Sequence, residues 1–267
     1  MDEAAKLELN ESSCLSILDS RLSRCYRRCM PERKTSSRTK NALVIFAKSP
    51  SSGSVKTRLQ GLLSAETAGR LSEAFMFDTL ETALRLTGVR LFLACSPSRR
   101  DPFFQKLARA YRITLIDQRG RDLGERMARA FHELKRQGFR KILIIGNDLP
   151  TLPTSHLRHA FRLLDQHDVV IGPSLDGGYY LIGISGQVPP IFDDMPWSTE
   201  TVFTMTMEKI LKAKLSCGLL PFWYDVDRPE DLYFLSLHLD LLRQEGRRTA
   251  ARTHTMMKSI RERGLMH

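Results

Sequence analysis

Residues 141–148 of this 267-residue chain read Lys141-Ile142-Leu143-Ile144-Ile145-Gly146-Asn147-Asp148. The apolar run is continuous rather than alternating, which is typical of a strand buried on both faces of a parallel sheet. A carboxylate follows the strand within three residues. A carboxylate in that position is costly unless it is paired or bound to a cation. The stretch therefore predicts a central β-strand and a candidate cation ligand, Asp148.

Strand-like and helical patterns alternate on both sides of this stretch. Strands are predicted at residues 42–47, 89–94, 113–116 and 169–172, and helices at 64–86, 102–110, 123–137 and 154–165. This alternation indicates an α/β, Rossmann-like, doubly wound fold with a mostly parallel sheet. The next strand, 179–184, follows with too little chain for a crossover helix, so we expect it to run antiparallel or at an edge, giving mixed C-terminal strands.

The last part of the domain is predicted to hold a helix at residues 199–212 with Ser198 as its N-cap, a strand at 217–226, and a helix begun by Pro229. Composition divides the chain into a basic N-terminal extension (1–40), flexible or partly helical, an α/β domain (41–242) and a basic, helical C-terminal tail (243–267).

The net charge is +11 and the isoelectric point about 9.7, with much of the excess near the two ends. No basic strand interleaved with aromatic residues is present, so a nucleic-acid partner is not favoured. No apolar run approaches the roughly 20 residues that cross a bilayer, and the N-terminus lacks the apolar core of a signal peptide. We therefore expect a cytoplasmic protein without a membrane partner. The five cysteines form no zinc-ligand pattern.

The loop after the first strand, residues 48–58, combines small residues with cations. Gly53 and its neighbours allow close approach of the backbone, and Lys48, Lys56 and Arg58 can neutralise phosphate oxygens. Val55 precedes Lys56, so the loop is not a Walker A motif. We predict a phosphate site here, because ligands of open α/β sheets bind at the carboxyl ends of strands. The alternative is a solvated turn.

Two further carboxylates, Asp225 and Asp227, alternate in a strand-like segment and would share one face. A divalent metal that also meets Asp148 would relieve their repulsion, and magnesium suits one or two carboxylates plus substrate phosphates. The alternatives are that Asp148 caps the next turn and that Asp227 caps the helix begun by Pro229.

Three other segments are candidate substrate contacts. The loop Asp176-Gly177-Gly178-Tyr179 is predicted to meet the acceptor, with an ordinary hairpin turn as the alternative. The helix start containing Asp122, Gly124 and Arg126 is predicted to meet a base or ribose, or else serves only as a capped helix start. Trp197 is a candidate substrate platform, or a core residue.

Taken in order, residues 46–59, 122–126, 146–150, 176–180 and 225–227 resemble the glycosyltransferase-A-like proteins of the domain-of-unknown-function family 2064. Members are often labelled radical-SAM-associated or arsenosugar-biosynthesis glycosyltransferases. The resemblance spans about residues 41–240. The first loop also resembles that of the 2-phospholactate guanylyltransferases, and the molybdenum-cofactor nucleotidyltransferases share the broader fold.

The resemblance implies a nucleotide-diphospho-sugar transferase fold in which Asp148 and Asp227 hold Mg²⁺ or Mn²⁺. Position 146 is Gly, so the Asp-x-Asp motif of glycosyltransferases is not intact. Lys48, Arg58 and Asp148 are the predicted catalytic residues, with Asp225 as a further metal ligand.

Three functions are compatible with these residues. The full-length resemblance favours glycosyl transfer from a nucleotide sugar to a small-molecule acceptor. The cationic first loop favours nucleotidyl transfer from a nucleoside triphosphate to a small phosphorylated or carboxylate acceptor, with release of pyrophosphate. The third is a regulatory module that binds a nucleotide without turnover. The sequence gives no oligomeric state.

Overall fold

The computed structural model describes residues 39–52 and 55–265, in which a seven-stranded sheet is flanked by helices. The predicted N-terminal extension lies outside the described residues except for residues 39 and 40, and Gly53 lies outside them as well. The strands are β1 (Asn41–Lys48), β2 (Arg90–Ser96), β3 (Thr114–Asp117), β4 (Lys141–Gly146), β5 (Val169–Pro173), β6 (Tyr179–Ser185) and β7 (Cys217–Leu219).

The sheet order is β3-β2-β1-β4-β6-β5-β7. Strand β1 runs parallel to both β2 and β4, and β2 runs parallel to β3. The carboxyl ends of these four strands therefore lie at one edge, where the predicted phosphate loop and Asp148 follow β1 and β4. The predicted α/β class with a mostly parallel sheet is confirmed.

Strand β6 is antiparallel to β4 and to β5, which confirms the predicted direction. It lies inside the sheet rather than at an edge. A short turn joins β5 to β6, so the chain reverses, and all seven residues of β6 are at least half-buried between neighbours. Strand β7 pairs parallel to β5 and forms the last strand at that edge of the sheet.

The helices are α1 (Ala65–Leu84), α2 (Pro102–Tyr111), α3 (Leu123–Arg136), α4 (Thr154–Leu163), α5 (Val202–Lys212), α6 (Pro229–Gln244) and α7 (Ala251–Glu262). Their starts follow local capping chemistry. Ser64 accepts a hydrogen bond from the backbone N–H of Thr67 at 3.2 Å, and Pro229 is the first residue of α6. No helix among the described residues is long and apolar enough to cross a membrane.

Two boundaries differ from the prediction. Ser198 does not cap a helix: it has a left-handed φ of 70°, and α5 begins at Val202. The Thr199 hydroxyl donates to the Pro196 carbonyl at 2.7 Å, which forms a separate turn before the helix.

The predicted strand at 217–226 is also shorter than expected. It pairs regularly only over Cys217–Leu219, because Pro221 has no N–H to donate to a ladder. The chain returns to the sheet briefly, where the Trp223 N–H donates to the Pro173 carbonyl at 3.2 Å.

The C-terminal segment is helical and packs on the domain. Thr253, Met257 and Ile260 of α7 are buried, and the two apolar residues join a core cluster that includes Phe75 of α1. Three basic residues of the predicted tail, Arg252, Lys258 and Arg261, therefore sit on a helix that forms part of the core.

Candidate functional site

The site lies at the carboxyl edge of the sheet, where the loops after β1 and β4 meet the segment before α6. The Val226 N–H donates to the Asp148 carbonyl at 3.1 Å. This backbone bond ties the loop after β4 to a segment almost eighty residues later in the chain. As a result, the side chains of Asp148 and Asp227 converge.

Lys56 lies between these two carboxylates. Its Nζ atom is 2.7 Å from Asp148 Oδ1 and 2.8 Å from Asp227 Oδ1, and it donates to the Val226 carbonyl at 2.6 Å. The Lys56 side chain is 2% exposed, whereas those of Asp148 and Asp227 are 34% and 43% exposed. The carboxylates therefore share a buried cation on one side and face solvent on the other.

The local backbone aims Lys56 inward. The residue has a left-handed φ of 51°, which is uncommon for residues other than glycine, and it immediately precedes a 3₁₀ turn at Thr57–Leu59. Its ammonium group also lies 5.4 Å from the centre of the buried Phe75 ring. The predicted phosphate ligand Lys56 is thus turned toward the carboxylates.

The charges of the cluster act in both directions. At Asp148, burial and the like charge of Asp227 outweigh the attraction of Lys56 and raise the pKa. Burial alone would lower the pKa of Lys56, but the charges of Asp148 and Asp227 outweigh it and raise that pKa. Burial likewise opposes ionisation of Asp227, yet Lys56, Arg58 and Lys48 together lower its pKa. Lys56 and Asp227 are therefore both charged at neutral pH.

Lys48 and Arg58 are exposed beside this cluster. Both are close enough for their charges to act on Asp227. Unlike Lys56, these two cations point to solvent, where a ligand can reach them. The structure thus brings together five predicted site residues: Lys48, Lys56, Arg58, Asp148 and Asp227.

Asp225 takes a different position. Its Oδ1 accepts a hydrogen bond from the Ser174 hydroxyl at 2.5 Å, and burial, aided by nearby carboxylates, raises its pKa to about 7.

Within residues 39–52 and 55–265, no three His, Cys, Asp or Glu side chains are grouped to hold a metal ion. Asp148 and Asp227 are a converging pair, which fits the one or two carboxylates that magnesium uses alongside substrate phosphates.

A cleft of about 180 Å³ opens beside Asp148 and Asp225. Its other walls are apolar or aromatic and include Leu123, Met127 and Tyr179. The Tyr179 ring packs edge-on against Trp197, with ring centres 6.5 Å apart. Of the predicted substrate residues, Tyr179 lines the cleft, and Trp197 supports it from behind.

The loop at residues 174–178 forms the hairpin turn between β5 and β6. The Ser174 N–H donates to the Gly178 carbonyl at 3.1 Å, and the Gly178 N–H to Asp176 Oδ1 at 3.0 Å. Gly177 has a φ of 84°, and a Cβ there would lie 2.2 Å from the Glu200 carbonyl oxygen. These features account for Gly177 by structure alone, and a substrate role for the loop stays a prediction.

The predicted base or ribose contacts form a capped helix start. Asp122 Oδ1 accepts from the Glu125 N–H at 2.8 Å, and Arg126 Nε donates to the Gly120 carbonyl at 3.1 Å. A Cβ on Gly124 would lie 2.4 Å from the Trp197 ring. Contact with a nucleotide at this helix start stays a prediction.

One group of residues beside the site was not predicted. The Thr151 hydroxyl donates to Tyr224 Oη at 3.0 Å, and the same oxygen lies 2.7 Å from His238 Nδ1. Thr151 follows Asp148 by three residues and Tyr224 precedes Asp227 by three, so this network links the two carboxylate segments. A pattern within one segment cannot reveal contacts between residues 73 positions apart.

Comparison with known proteins places this geometry in a family. Residues 79–199 match the family described as "Uncharacterized protein conserved in bacteria (DUF2064)". A solved structure from Desulfovibrio desulfuricans G20, named as a nucleotide-diphospho-sugar transferase, is 30% identical, with a TM-score of 0.76, over 84% of this chain and 96% of its own. The chain belongs to the nucleotide-diphospho-sugar transferase family of this relative, and the DUF2064 match covers less than half of it. It is an enzyme of the transferase type.

Two further proteins resemble the chain over most of its length. The 2-phospho-L-lactate guanylyltransferase of Methanocaldococcus infernus is 24% identical over 70% of this chain and 81% of its own length. The CMP:2-keto-3-deoxy-manno-octonic acid synthetase, solved with CTP, shares the fold with a TM-score of 0.50 and 15% identity over 77% of this chain and 99% of its own. The comparisons thus favour nucleotidyl transfer over the glycosyl transfer that the resemblance had favoured.

Proposed function

We propose that this enzyme transfers a nucleoside monophosphate from a nucleoside triphosphate to a small phosphorylated or carboxylate acceptor and releases pyrophosphate. The observation that carries the proposal is the paired carboxylates Asp148 and Asp227, bridged by Lys56 and flanked by exposed Lys48 and Arg58. A guanylyltransferase among the relatives supports the same reaction class.

The charge balance favours a triphosphate donor. Three cations act on Asp148 and Asp227, and the neighbouring Asp225, with a pKa of about 7, is only partly ionised at neutral pH. Positive charge therefore exceeds negative charge before any metal binds. A metal held by the carboxylates would add to this excess. A triphosphate carries more negative charge than the diphosphate of a nucleotide sugar, and it matches such a site better. Gly146, in place of the first acid of an Asp-x-Asp motif, agrees with this choice.

The metal that we expect is Mg²⁺ or Mn²⁺, held by Asp148 and Asp227. Bound there, it would neutralise charge on the donor phosphates. Lys48 and Arg58 hold the phosphate chain from the solvent side and orient it for attack. An acceptor oxygen forms a bond to the α-phosphorus as the bond to the bridging oxygen of the β-phosphate breaks, and pyrophosphate leaves with that electron pair.

The cleft suits an acceptor that attacks as an anion. Its lining carboxylates are Asp148, which is bound to Lys56, and Asp225, which accepts from Ser174. Asp148 is held in its ion pair, whereas Asp225 keeps a second oxygen and has a pKa of about 7, so it could serve a hydroxyl acceptor as a general base. An anionic acceptor needs no such base. A phosphate or carboxylate acceptor is already ionised at neutral pH and has no proton to lose.

Thermal shift assays with the four nucleoside triphosphates and a set of nucleotide sugars, with and without Mg²⁺, test donor binding. A ligand at 100 times its dissociation constant stabilises a protein by roughly 2.7 kcal/mol. We expect a triphosphate to raise the melting temperature when Mg²⁺ is present. Asp148→Asn should keep its fold and lose this metal-dependent shift. An unchanged shift in that variant would remove Asp148 from the metal site.

Glycosyl transfer is the second candidate, because the relative at 30% identity is named as a nucleotide-diphospho-sugar transferase. It predicts a shift with nucleotide sugars and release of a nucleoside diphosphate. The two reactions differ in the bond that breaks, so the products separate them.

A further inference from the structure

The ammonium group of Lys56 has no hydrogen bond left to give in this structure. An ammonium group carries three donors. Lys56 Nζ meets three oxygen acceptors, on Asp148, Asp227 and the Val226 backbone, all within 2.8 Å. The side chain is 2% exposed. In this state Lys56 cannot also hold a phosphate oxygen.

The same two carboxylates are the proposed metal ligands. The Oδ1 atom of each carboxylate contacts the ammonium nitrogen. A divalent ion bound to these atoms would meet a positive charge already in place, and like charges at hydrogen-bonding distance repel strongly in a partly buried site. Metal and ammonium thus compete for one set of oxygens.

We propose that Lys56 occupies the cation site of the free enzyme and excludes a divalent metal from it. The site opens when the Lys56 ammonium group leaves the carboxylates and donates its hydrogen bonds to a nucleotide phosphate instead. This inference rests on the proposed nucleotide and metal sites. Lys56 is a positioning residue in the free enzyme and a phosphate ligand in the loaded one. Its charge balances Asp148 and Asp227 in the first state and the donor phosphates in the second.

The neighbouring residues support such an exchange. Lys48 and Arg58 are exposed and can receive the phosphates first. Asp148 and Asp227 keep 34% and 43% of their side chains exposed, so solvent reaches the carboxylates from the side that Lys56 does not fill. The exchange links the two ligands: nucleotide favours metal binding, and metal favours nucleotide binding by the same factor.

Binding of Mn²⁺ alone, followed by electron paramagnetic resonance without nucleotide or acceptor, tests the exclusion. Lys56→Met removes the charge and keeps the side-chain length. We expect Lys56→Met to bind Mn²⁺ about tenfold more tightly than the wild type, within the usual range of coupling between sites. Mn²⁺ should also raise the melting temperature of this variant and leave that of the wild type unchanged.

Two control variants isolate the role of occupancy. Lys212→Met removes an exposed charge at the end of α5, outside the site, and should leave Mn²⁺ affinity within about twofold of the wild type, because long-range surface charges are largely screened. Lys56→Met combined with Asp148→Asn removes one proposed ligand and should lose the gained affinity. If Lys56→Met folds only in the presence of Mn²⁺, that rescue supports the proposal, and Lys56→Gln provides a second neutral variant.

The same substitution should have the opposite effect on nucleotide affinity. With Mg²⁺ present, equilibrium dialysis should show weaker triphosphate binding to Lys56→Met than to the wild type. Equal Mn²⁺ affinity in the wild type, Lys56→Met and Lys56→Gln would overturn the proposal, as would an equal gain in Lys212→Met. The Mn²⁺ binding experiment involves no turnover. A negative result there is therefore distinct from a failure to detect nucleotidyl transfer.

Discussion

At the scale of single residues, the site depends on contacts between side chains far apart in the chain. Asp148 and Lys56 were each expected from their place after a strand, but the sequence assigned them different partners, a metal and a phosphate. The structure joins them at 2.7 Å. Local pattern predicts which residues reach the sheet edge, whereas the rotation of Lys56 inward depends on a left-handed backbone that no local motif demands.

Tyr224 provides a residue-scale test of how the two carboxylate segments are held. Its buried hydroxyl bonds both Thr151 and His238, so Tyr224→Phe leaves two partners without their hydrogen bond. We expect a loss of about 1–3 kcal/mol in the free energy of unfolding, measured by urea denaturation.

Tyr233→Phe is the matched control, because this tyrosine lies on the same part of the chain and is 39% exposed. It should change the free energy of unfolding by no more than about 0.5 kcal/mol. Equal effects of the two substitutions would show that the Tyr224 network does not hold the segments together.

At the scale of elements, most strands and helices were predicted within a few residues, because buried parallel strands and capped helices have strong local patterns. The misses share a cause. The turn before α5 is formed by a Thr199 hydroxyl bond, and the end of β7 by a proline. The spacing of hydrophobic residues predicts neither a side-chain hydrogen bond nor a strand end set by proline.

Gly124 tests how the start of α3 packs against the cleft. A Cβ at this position would lie 2.4 Å from the Trp197 ring and 2.6 Å from the Phe192 carbonyl oxygen. Gly124→Ala is therefore expected to destabilise the protein by about 1–3 kcal/mol through overpacking. Thermal unfolding followed by circular dichroism measures the effect.

Gly61→Ala is the control for this substitution, because no atom lies within 4 Å of its would-be Cβ. The change there should be small or slightly stabilising. A harmless Gly124→Ala would mean that Trp197 is free to move, which would favour its predicted role as a substrate platform over a packing role.

At the scale of the whole molecule, the sequence predicted the fold class and the edge where the site lies, but it separated the C-terminal residues from the domain. The helix α7 is polar enough to look like a tail, yet three of its residues are buried. Its attachment relies on Asp78, a buried residue of α1 whose partners are 174 and 175 positions away. Such a contact leaves no trace in local composition.

Asp78→Ala tests this attachment. The carboxylate accepts the backbone N–H groups of Thr253 at 2.8 Å and Arg252 at 3.3 Å, at the start of α7. Removing the carboxylate should lower the free energy of unfolding by about 1–3 kcal/mol and increase the rate of backbone amide hydrogen exchange along α7. Asp193→Ala, at an exposed position, is the control and should leave exchange in α7 unchanged. Unaltered exchange in Asp78→Ala would show that α7 is held by its apolar contacts alone.

The most direct test of the central claim follows the phosphorus atoms of the donor. The enzyme is incubated with Mg²⁺, a set of phosphorylated and carboxylate acceptors, and triphosphates labelled at the α-phosphate. Nucleotidyl transfer predicts that the label joins the acceptor while unlabelled pyrophosphate is released in equal amount. No label on any acceptor and no pyrophosphate from any triphosphate, together with release of a nucleoside diphosphate when nucleotide sugars replace the triphosphates, would contradict it.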